Sequence, residues 1–381
     1  MLDAGRPPSI LHLTAGSDAG GLSRYILDLS TAMIARGHRV AVAGDVGVWQ
    51  ARFDAAGIEY LRIPLKGGPV GVMKAIRAAR GFVAQRGGFD VYHAHYRRAA
   101  MLGRYLKKQA PAPLLYTVHL SHIDLRWYRR LLTDFGDFTH FASVDALAWA
   151  EAQRLCDPER SRVIPHGIDL STYRRPTELQ RSAARTIFSV PAGSRMAAFV
   201  GRLDDPKNVD WLLDAAAAWD ERVHGKLVLL IAGDGPHRQR LMARIRHERL
   251  ADRVRLLGEI DPLPVYHAAD ALLLASAREG FSYVCAEAMA CGVPVLRTRT
   301  SGTTETVLEG ITGRAVDIDH EAFVRSAVAF VAQDLDTLRR MGQAAAEHAA
   351  QQFGLDRQIQ QTIDLYAEMR DRWQRERGQI P

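Results

Sequence analysis

The sequence predicts an α/β protein built from two doubly wound domains. Two observations predict it. Short, unbroken apolar runs alternate with helix-length amphipathic segments, which is the signature of buried parallel strands joined by crossover helices. The same β-α-β rhythm then starts again in the second half, and 381 residues are enough to bury two cores. The polar stretch between the halves, residues 170–194, holds Pro176 and Pro191 and reads as a linker plus a short helix.

In the first half, residues 9–14 form a strand, and a glycine-rich turn ending in Gly20-Gly21 follows. Leu22, Ile26, Leu29 and Met33 recur at helical spacing up to about Arg36, where Gly37 ends the helix. Residues 39–43 are the next strand. Gly20-Gly21 does not fit G-x-G-x-x-G, and from the residues alone it is a tight turn needing small side chains. Further strands are predicted at 59–63, 90–95, 114–118, 140–143 and 162–164. His93-x-His95 puts two imidazoles on one strand face, but no further His, Cys or Asp cluster converges on them in the sequence, so no metal site is assigned. A place at the strand's crevice edge or a structural use both remain open for His95. Arg126-Trp-Tyr-Arg-Arg130 suits an interfacial helix on anionic lipid and equally a solvated helix with a packed Trp.

In the second half, the strand 196–200 leads into Gly201-Arg-Leu-Asp-Asp-Pro-Lys-Asn208 and a helix carrying Leu212, Leu213, Ala216 and Ala217. Arg202 and Lys207 on one strand-end loop can clamp a diphosphate, Arg with two prongs and Lys as a point charge. Strand 226–232 ends in Gly233-Asp-Gly-Pro236, and strand 253–258 is followed by Glu259 and Ile260. The run Ala271-Leu-Leu-Leu274 is a buried strand, broken by Glu279-Gly280, and Phe281 to Ala290 is predicted as a helix closed by Gly292. A strand, a turn and a helix N-terminus in that order favour an anion on the amides of Gly280, Phe281 and Ser282. Glu279 and Glu287 flank the spot and can accept from vicinal hydroxyls, a combination that sugar nucleotides offer. Asp317-Ile-Asp319 is formally Asp-x-Asp, but its place before a late helix points to a structural use.

Composition sets bounds on this reading. The chain is 47% hydrophobic and 24% charged, with no 18-residue apolar run and no apolar signal core before the first strand. Cys156, Cys285 and Cys291 form neither a metal-like cluster nor a disulfide framework, which fits a reducing cytoplasm. The net charge is +7, and up to Arg175 there are 24 Lys and Arg against 15 Asp and Glu. That basic front half suggests an anionic acceptor or membrane surface; no nucleic-acid recognition module is present.

Glu279-Gly-Phe281 followed by Glu287-Ala-Met-Ala-Cys-Gly-Val-Pro-Val295 resembles the double-glutamate signature of retaining glycosyltransferases of the GT4 type, which have the GT-B fold. The resemblance covers nearly the whole chain and is strongest from Phe199 to Glu305. Gly201-Arg-Leu203 with Lys207 matches the family's Gly-Arg-Leu-x-x-x-Lys-Gly element, except that Asn208 stands where Gly is commonest. Ile164-Pro-His-Gly-Ile-Asp169 matches the interdomain link with His166 in place of Asn, and Ser301-Gly-Thr-Thr-Glu305 matches Gly-Gly-x-x-Glu with Ser301 in place of the first Gly.

The resemblance implies two Rossmann-like domains facing across a cleft, residues 1–167 binding the acceptor and 168–354 binding the nucleotide sugar. The last stretch, about 355–381, would cross back onto the first. Arg202 and Lys207 would neutralise the diphosphate, Glu279 would hold the sugar ring, Glu287 the ribose, and Glu259 and Ile260 would line the base pocket. Gly20-Gly21 would let the first helix approach the diphosphate. His119, in a Thr-x-His element, would touch the transferred sugar, with His95 and Arg97 towards the acceptor. The implied function is retaining transfer of a hexose from a UDP- or GDP-sugar to a glycan or lipid-linked hydroxyl in envelope polysaccharide or lipopolysaccharide synthesis. No metal or other cofactor is required, and the protein is expected in the cytoplasm, on the inner face of the membrane if the basic front half binds lipid. Another GT-B reaction, an epimerase or phosphorylase, and a non-catalytic relative are the alternatives.

Overall fold

The computed structural model describes residues 7–15, 20–45, 47–65, 68–120 and 135–378. The segment holding Arg126 to Arg130 lies outside them. The chain divides into two compact units, Met1–His166 with Asp356–Pro381, and Gly167–Leu355.

The first unit carries a seven-stranded sheet: β1 (Ile10–Thr14), β2 (Val40–Gly44), β3 (Glu59–Arg62), β4 (Val91–His95), β5 (Leu114–Val118), β6 (Phe138–Phe141) and β7 (Ser161–Val163). Its order is β3-β2-β1-β4-β5-β6-β7, and every pairing is parallel. β1, β2, β4, β5 and β6 are buried along their whole length, as a sheet covered by helices on both faces requires. The strand expected at 140–143 runs two residues earlier, because Ser143 leaves the sheet to cap helix Val144–Ala152 by accepting from the Ala146 amide.

The second unit carries a six-stranded sheet: β8 (Arg195–Val200), β9 (Leu227–Ala232), β10 (Val254–Gly258), β11 (Ala271–Leu274), β12 (Val295–Thr298) and β13 (Gly313–Val316). It is again parallel throughout, in the order β10-β9-β8-β11-β12-β13. Both sheets thus have the doubly wound order, with a reversal of winding between β1 and β4 and between β8 and β11. In open sheets of this kind ligands bind beyond the strands' carboxyl ends at the reversal.

Helix Leu355–Glu376 returns to the first unit. Its residues Gln358, Ile359, Thr362, Leu365, Tyr366 and Met369 recur every three or four positions and are buried. Asp319 caps helix His320–Val331 by accepting from the Ala322 amide at 2.8 Å, and Asp317 lies 3.3 Å from Arg299. The Asp-x-Asp is therefore a cap and a surface ion pair. No helix among the described residues is long and apolar enough to cross a membrane.

Candidate functional site

At the reversal point of the second unit, the loops leaving β8 and β11 meet. The Ala277 amide donates to Pro206 O at 2.7 Å, and Asn208 Nδ2 donates to Ala275 O at 2.9 Å. Asn208 adopts the left-handed conformation (φ 46°, ψ 44°), which asparagine tolerates better than most residues. Its side chain then ties the two loops together, so the departure from glycine is accommodated. Lys207 Nζ donates to Glu279 Oε1 at 2.5 Å, and Ser276 Oγ donates to the same oxygen at 2.7 Å. Arg202 turns instead to Asp204 at 3.0 Å and stays 57% exposed. The two expected diphosphate cations thus have different partners: Lys207 is committed to Glu279, and Arg202 pairs with Asp204 at the surface. Behind them, Gly233 (φ +134°) passes so close to β8's exit that an added Cβ would lie 1.9 Å from Gly201 O. Only glycine fits there.

Beyond Glu279 the expected helix begins later than predicted, at Tyr283. Ser282 is extended (φ −92°, ψ 98°) and caps it, accepting from the Cys285 amide at 3.3 Å. Gly280 to Ser282 therefore form the approach to helix Tyr283–Ala290. Gly302 (φ +76°) rests on that approach, its would-be Cβ 3.1 Å from Gly280 O. Glu287 points inward and is 3% exposed, accepting from Tyr266 Oη at 2.7 Å. Burial, and then the Glu287 charge, push the Tyr266 phenol far above its usual range; burial followed by Glu287 takes the Cys291 thiol up to about 12. Glu259 and Ile260 are both exposed at the carboxyl end of β10.

The first unit gathers histidines at its own reversal point. His12 on β1 pairs in register with His93 on β4, and Thr14 with His95. His12 Nδ1 is 3.1 Å from His95 Nε2, and His95 Nδ1 is 2.9 Å from His119 Nε2. His12, His93 and His95 each place one ring nitrogen within 4.8 Å of the others, a set that could hold a metal ion. The fold thus supplies the third imidazole that the sequence did not reveal. His93, however, has both nitrogens engaged, Nδ1 with Tyr366 Oη and Nε2 with Thr117 Oγ1, each at 2.6 Å.

The tautomers along this chain follow from its end. His140 Nε2 must donate to Ile164 O (2.8 Å), so His140 Nδ1 accepts from Thr117 Oγ1 (3.0 Å), His93 Nε2 donates to Thr117, and Tyr366 Oη donates to His93 Nδ1. Tyr25, one turn into helix Gly21–Ala35, packs its ring 5.4 Å from His119 and 4.7 Å from His166. His166, where the family has Asn, is buried in this cluster at 4% exposure.

Burial holds all these imidazoles neutral. His12 and His119 fall to about 3 and His140 to about 4, with the neighbouring His140 a lesser cause at His119 after burial. His93, His95 and His166 lie well below the usual value, burial first and neighbouring histidines second.

His119 keeps part of its surface exposed, whereas His95, expected towards the acceptor, is wholly buried between His12 and His119. The acceptor contact expected of His95 has no exposed surface to use, and the ring instead supports His119. Arg97 opens helix Arg97–Leu106 directly after Tyr96, which is held at φ 76°. Gly20 has φ 170°, extended backbone that any residue adopts, so conformation does not require glycine there.

Two family descriptions match the chain: "Glycosyltransferase Family 4" over residues 19–172 and "Glycosyl transferases group 1" over 180–348. The chain belongs to the GT4-type glycosyltransferase family. A curated relative from Corynebacterium efficiens, D-inositol 3-phosphate glycosyltransferase, is 28% identical, with 92% of this chain and 91% of the relative covered. The enzyme of that name from Nocardia farcinica is 31% identical over 69% of this chain and 63% of its own length. Among solved structures, Anabaena Alr3699/HepE in complex with UDP superposes with a TM-score of 0.81 at 21% identity, covering 94% of this chain and 100% of that one. A glycosyltransferase from Rickettsia africae gives 0.83 at 17%, covering 96% and 99%. At these identities the superpositions establish the fold, two Rossmann-like domains of the GT-B type.

Family membership makes glycosyl transfer the supported activity. Sequence reasoning missed Tyr266, the partner of Glu287, and the histidines His12 and His140. Tyr266 lies on a six-residue helix, Leu263–Ala268, and no spacing rule links it to Glu287.

Proposed function

We propose that the chain is a retaining, metal-independent hexosyltransferase that moves a sugar from a UDP- or GDP-sugar to a hydroxyl of a glycan or lipid-linked acceptor. The observation that carries this reading is the Lys207–Glu279 pair, braced by Ser276 at the reversal point and next to Gly280. When the donor binds, its pyrophosphate competes with Glu279 for Lys207, and Arg202 can swing from Asp204 onto the same phosphates. The approach of the Gly280 to Ser282 backbone adds preorganised stabilisation of the leaving group. Glu279, relieved of Lys207, takes the sugar hydroxyls, and Glu287 takes those of the ribose. In the first unit, His119 is the proposed contact with the transferred sugar.

The acceptor oxygen attacks the anomeric carbon on the face the diphosphate leaves, and a phosphate oxygen of the leaving group accepts its proton. The solved structures of Alr3699/HepE in complex with UDP and with UDP-glucose support a nucleotide-sugar donor. The basic first half supports an anionic acceptor or lipid surface.

The test is a screen of UDP- and GDP-sugars with inositol phosphate, glycan and lipid-linked acceptors, with and without a chelator. Nucleoside diphosphate released only with an acceptor present, and with the anomeric configuration kept, is the expected result. Release without an acceptor, inversion or loss on chelation each overturns the corresponding part. Tyr266→Phe tests the ribose arm. Freed of its phenol, Glu287 should hold the ribose less well and raise the donor KM about fivefold, roughly 1 kcal/mol. kcat should be nearly unchanged, and an unaltered KM would remove Glu287 from donor binding.

A further inference from the structure

Arg297 occupies the interior of β12, where a parallel strand calls for an apolar residue, and is 1% exposed. Its guanidinium donates to four neutral acceptors: Nη1 to Gly302 O (3.2 Å) and Thr306 Oγ1 (2.9 Å), Nη2 to Thr300 Oγ1 (2.6 Å) and Ser301 O (3.2 Å). Among the described residues no carboxylate lies within 4.0 Å of it. Its hydrogen bonds are satisfied, but its charge is not balanced, and an uncompensated buried cation costs several kcal/mol. The segment it holds is the one that rests on the candidate site. Gly302 O is gripped by both Arg297 and Thr306 Oγ1 (2.7 Å), while Gly302 itself packs on Gly280 and Phe281. From the same strand, Thr298 Oγ1 donates to Ser276 O at 2.5 Å, and Ser276 in turn holds Glu279. The charge also reaches the helix tip. At Cys285, in the first turn, burial raises the thiol, and Arg297 is the largest of the charges acting on it, ahead of Glu279 and Lys207.

We propose that Arg297 is a positioning residue for the donor. It fixes the 300–306 segment under Gly280 and Phe281 and supplies a permanent positive charge, additional to Lys207 and Arg202, for the pyrophosphate. The proposal rests on the donor reading above. A brace alone could be built from neutral donors; an arginine without a carboxylate implies an anionic ligand that completes the balance.

The test is calorimetric titration of the full chain with UDP, UMP and uridine, and with GDP, GMP and guanosine, for wild type, Arg297→Met and Arg297→Lys. Arg297→Met should weaken the diphosphate about tenfold, the monophosphate less and the nucleoside not at all, and should flatten the salt dependence. Arg297→Lys keeps the charge but loses the fork, and should recover most of the diphosphate affinity. If Arg297→Met does not fold, Arg297→Gln, which keeps hydrogen bonds to the loop carbonyls, serves the same comparison. Equal losses for diphosphate and nucleoside, or no loss in either, overturn the proposal. Wild-type protein that binds neither series overturns the donor reading itself, and this inference with it.

Discussion

Glu279→Gln is expected to lower transfer turnover by about 10²- to 10³-fold, the scale of removing one preorganised electrostatic contact, while diphosphate affinity holds or improves. The structure gives the reason for the split. Glu279 Oε1 accepts from Lys207 and from Ser276, so in the proposed mechanism the carboxylate that would hold the sugar also occupies the cation that the pyrophosphate would need. Glutamine keeps the shape and releases Lys207. Nucleoside diphosphate should therefore bind at least as tightly as to wild type, whereas kcat falls with KM little changed. Lys207→Ala should do the reverse to binding. Titration of both variants with UDP and GDP, beside initial rates on the donor that the screen identifies, measures each arm. A Glu279→Gln protein with wild-type turnover, or with diphosphate binding lost in step with turnover, would remove the carboxylate from the proposed mechanism.

Acid should unfold the first unit well before the second. His12 and His140 are buried and neutral in the fold, at about 3 and about 4, against a free value of 6.5. The unfolded chain therefore binds more protons below about pH 6.5. The stabilisation is complete above that point and is lost as pH falls towards the folded values. Each such group contributes about 1.4 kcal/mol per pH unit, so these two alone cost on the order of 4 kcal/mol by pH 5. That is a large share of a domain's whole stability, roughly 5–15 kcal/mol, and four further imidazoles shift the same way. In the second unit His267 alone shows such a shift among the described residues. Hydrogen exchange followed by peptide at pH 7.5, 6 and 5 should show β1, β4 and β5 losing protection while β8 and β9 keep theirs. Equal protection of the two sheets at pH 5 would refute the account.

The doubly wound class was legible because buried parallel strands announce themselves: Leu227–Ala232 and Ala271–Leu274 have no polar residue to confuse with another period. The family was legible from the spacing of Glu279 and Glu287. Helix starts were less so. The Phe281 boundary moved to Tyr283 because a capping hydroxyl, not propensity, decides where a helix opens. Convergence across the sheet was not legible at all. His12 meets His93 and His95 through the adjacency of β1 and β4, although His12 and His95 lie 83 positions apart in the sequence. Which anion each cation chooses, Asp204 for Arg202 and Glu279 for Lys207, also depends on loop geometry that no motif encodes.

The return of the last helix to the first unit sets an order of assembly. Tyr366 is wholly buried and donates to His93, 273 residues earlier, so that imidazole chain is incomplete until the C-terminal turns exist. The second unit is one uninterrupted stretch of chain, Gly167–Leu355. The later-encoded half can therefore close while the earlier-encoded half still lacks its last helix. Until that helix is added the earlier-encoded half is a sheet lacking its keystone, and a chain truncated just before Tyr366 should expose that difference to protease.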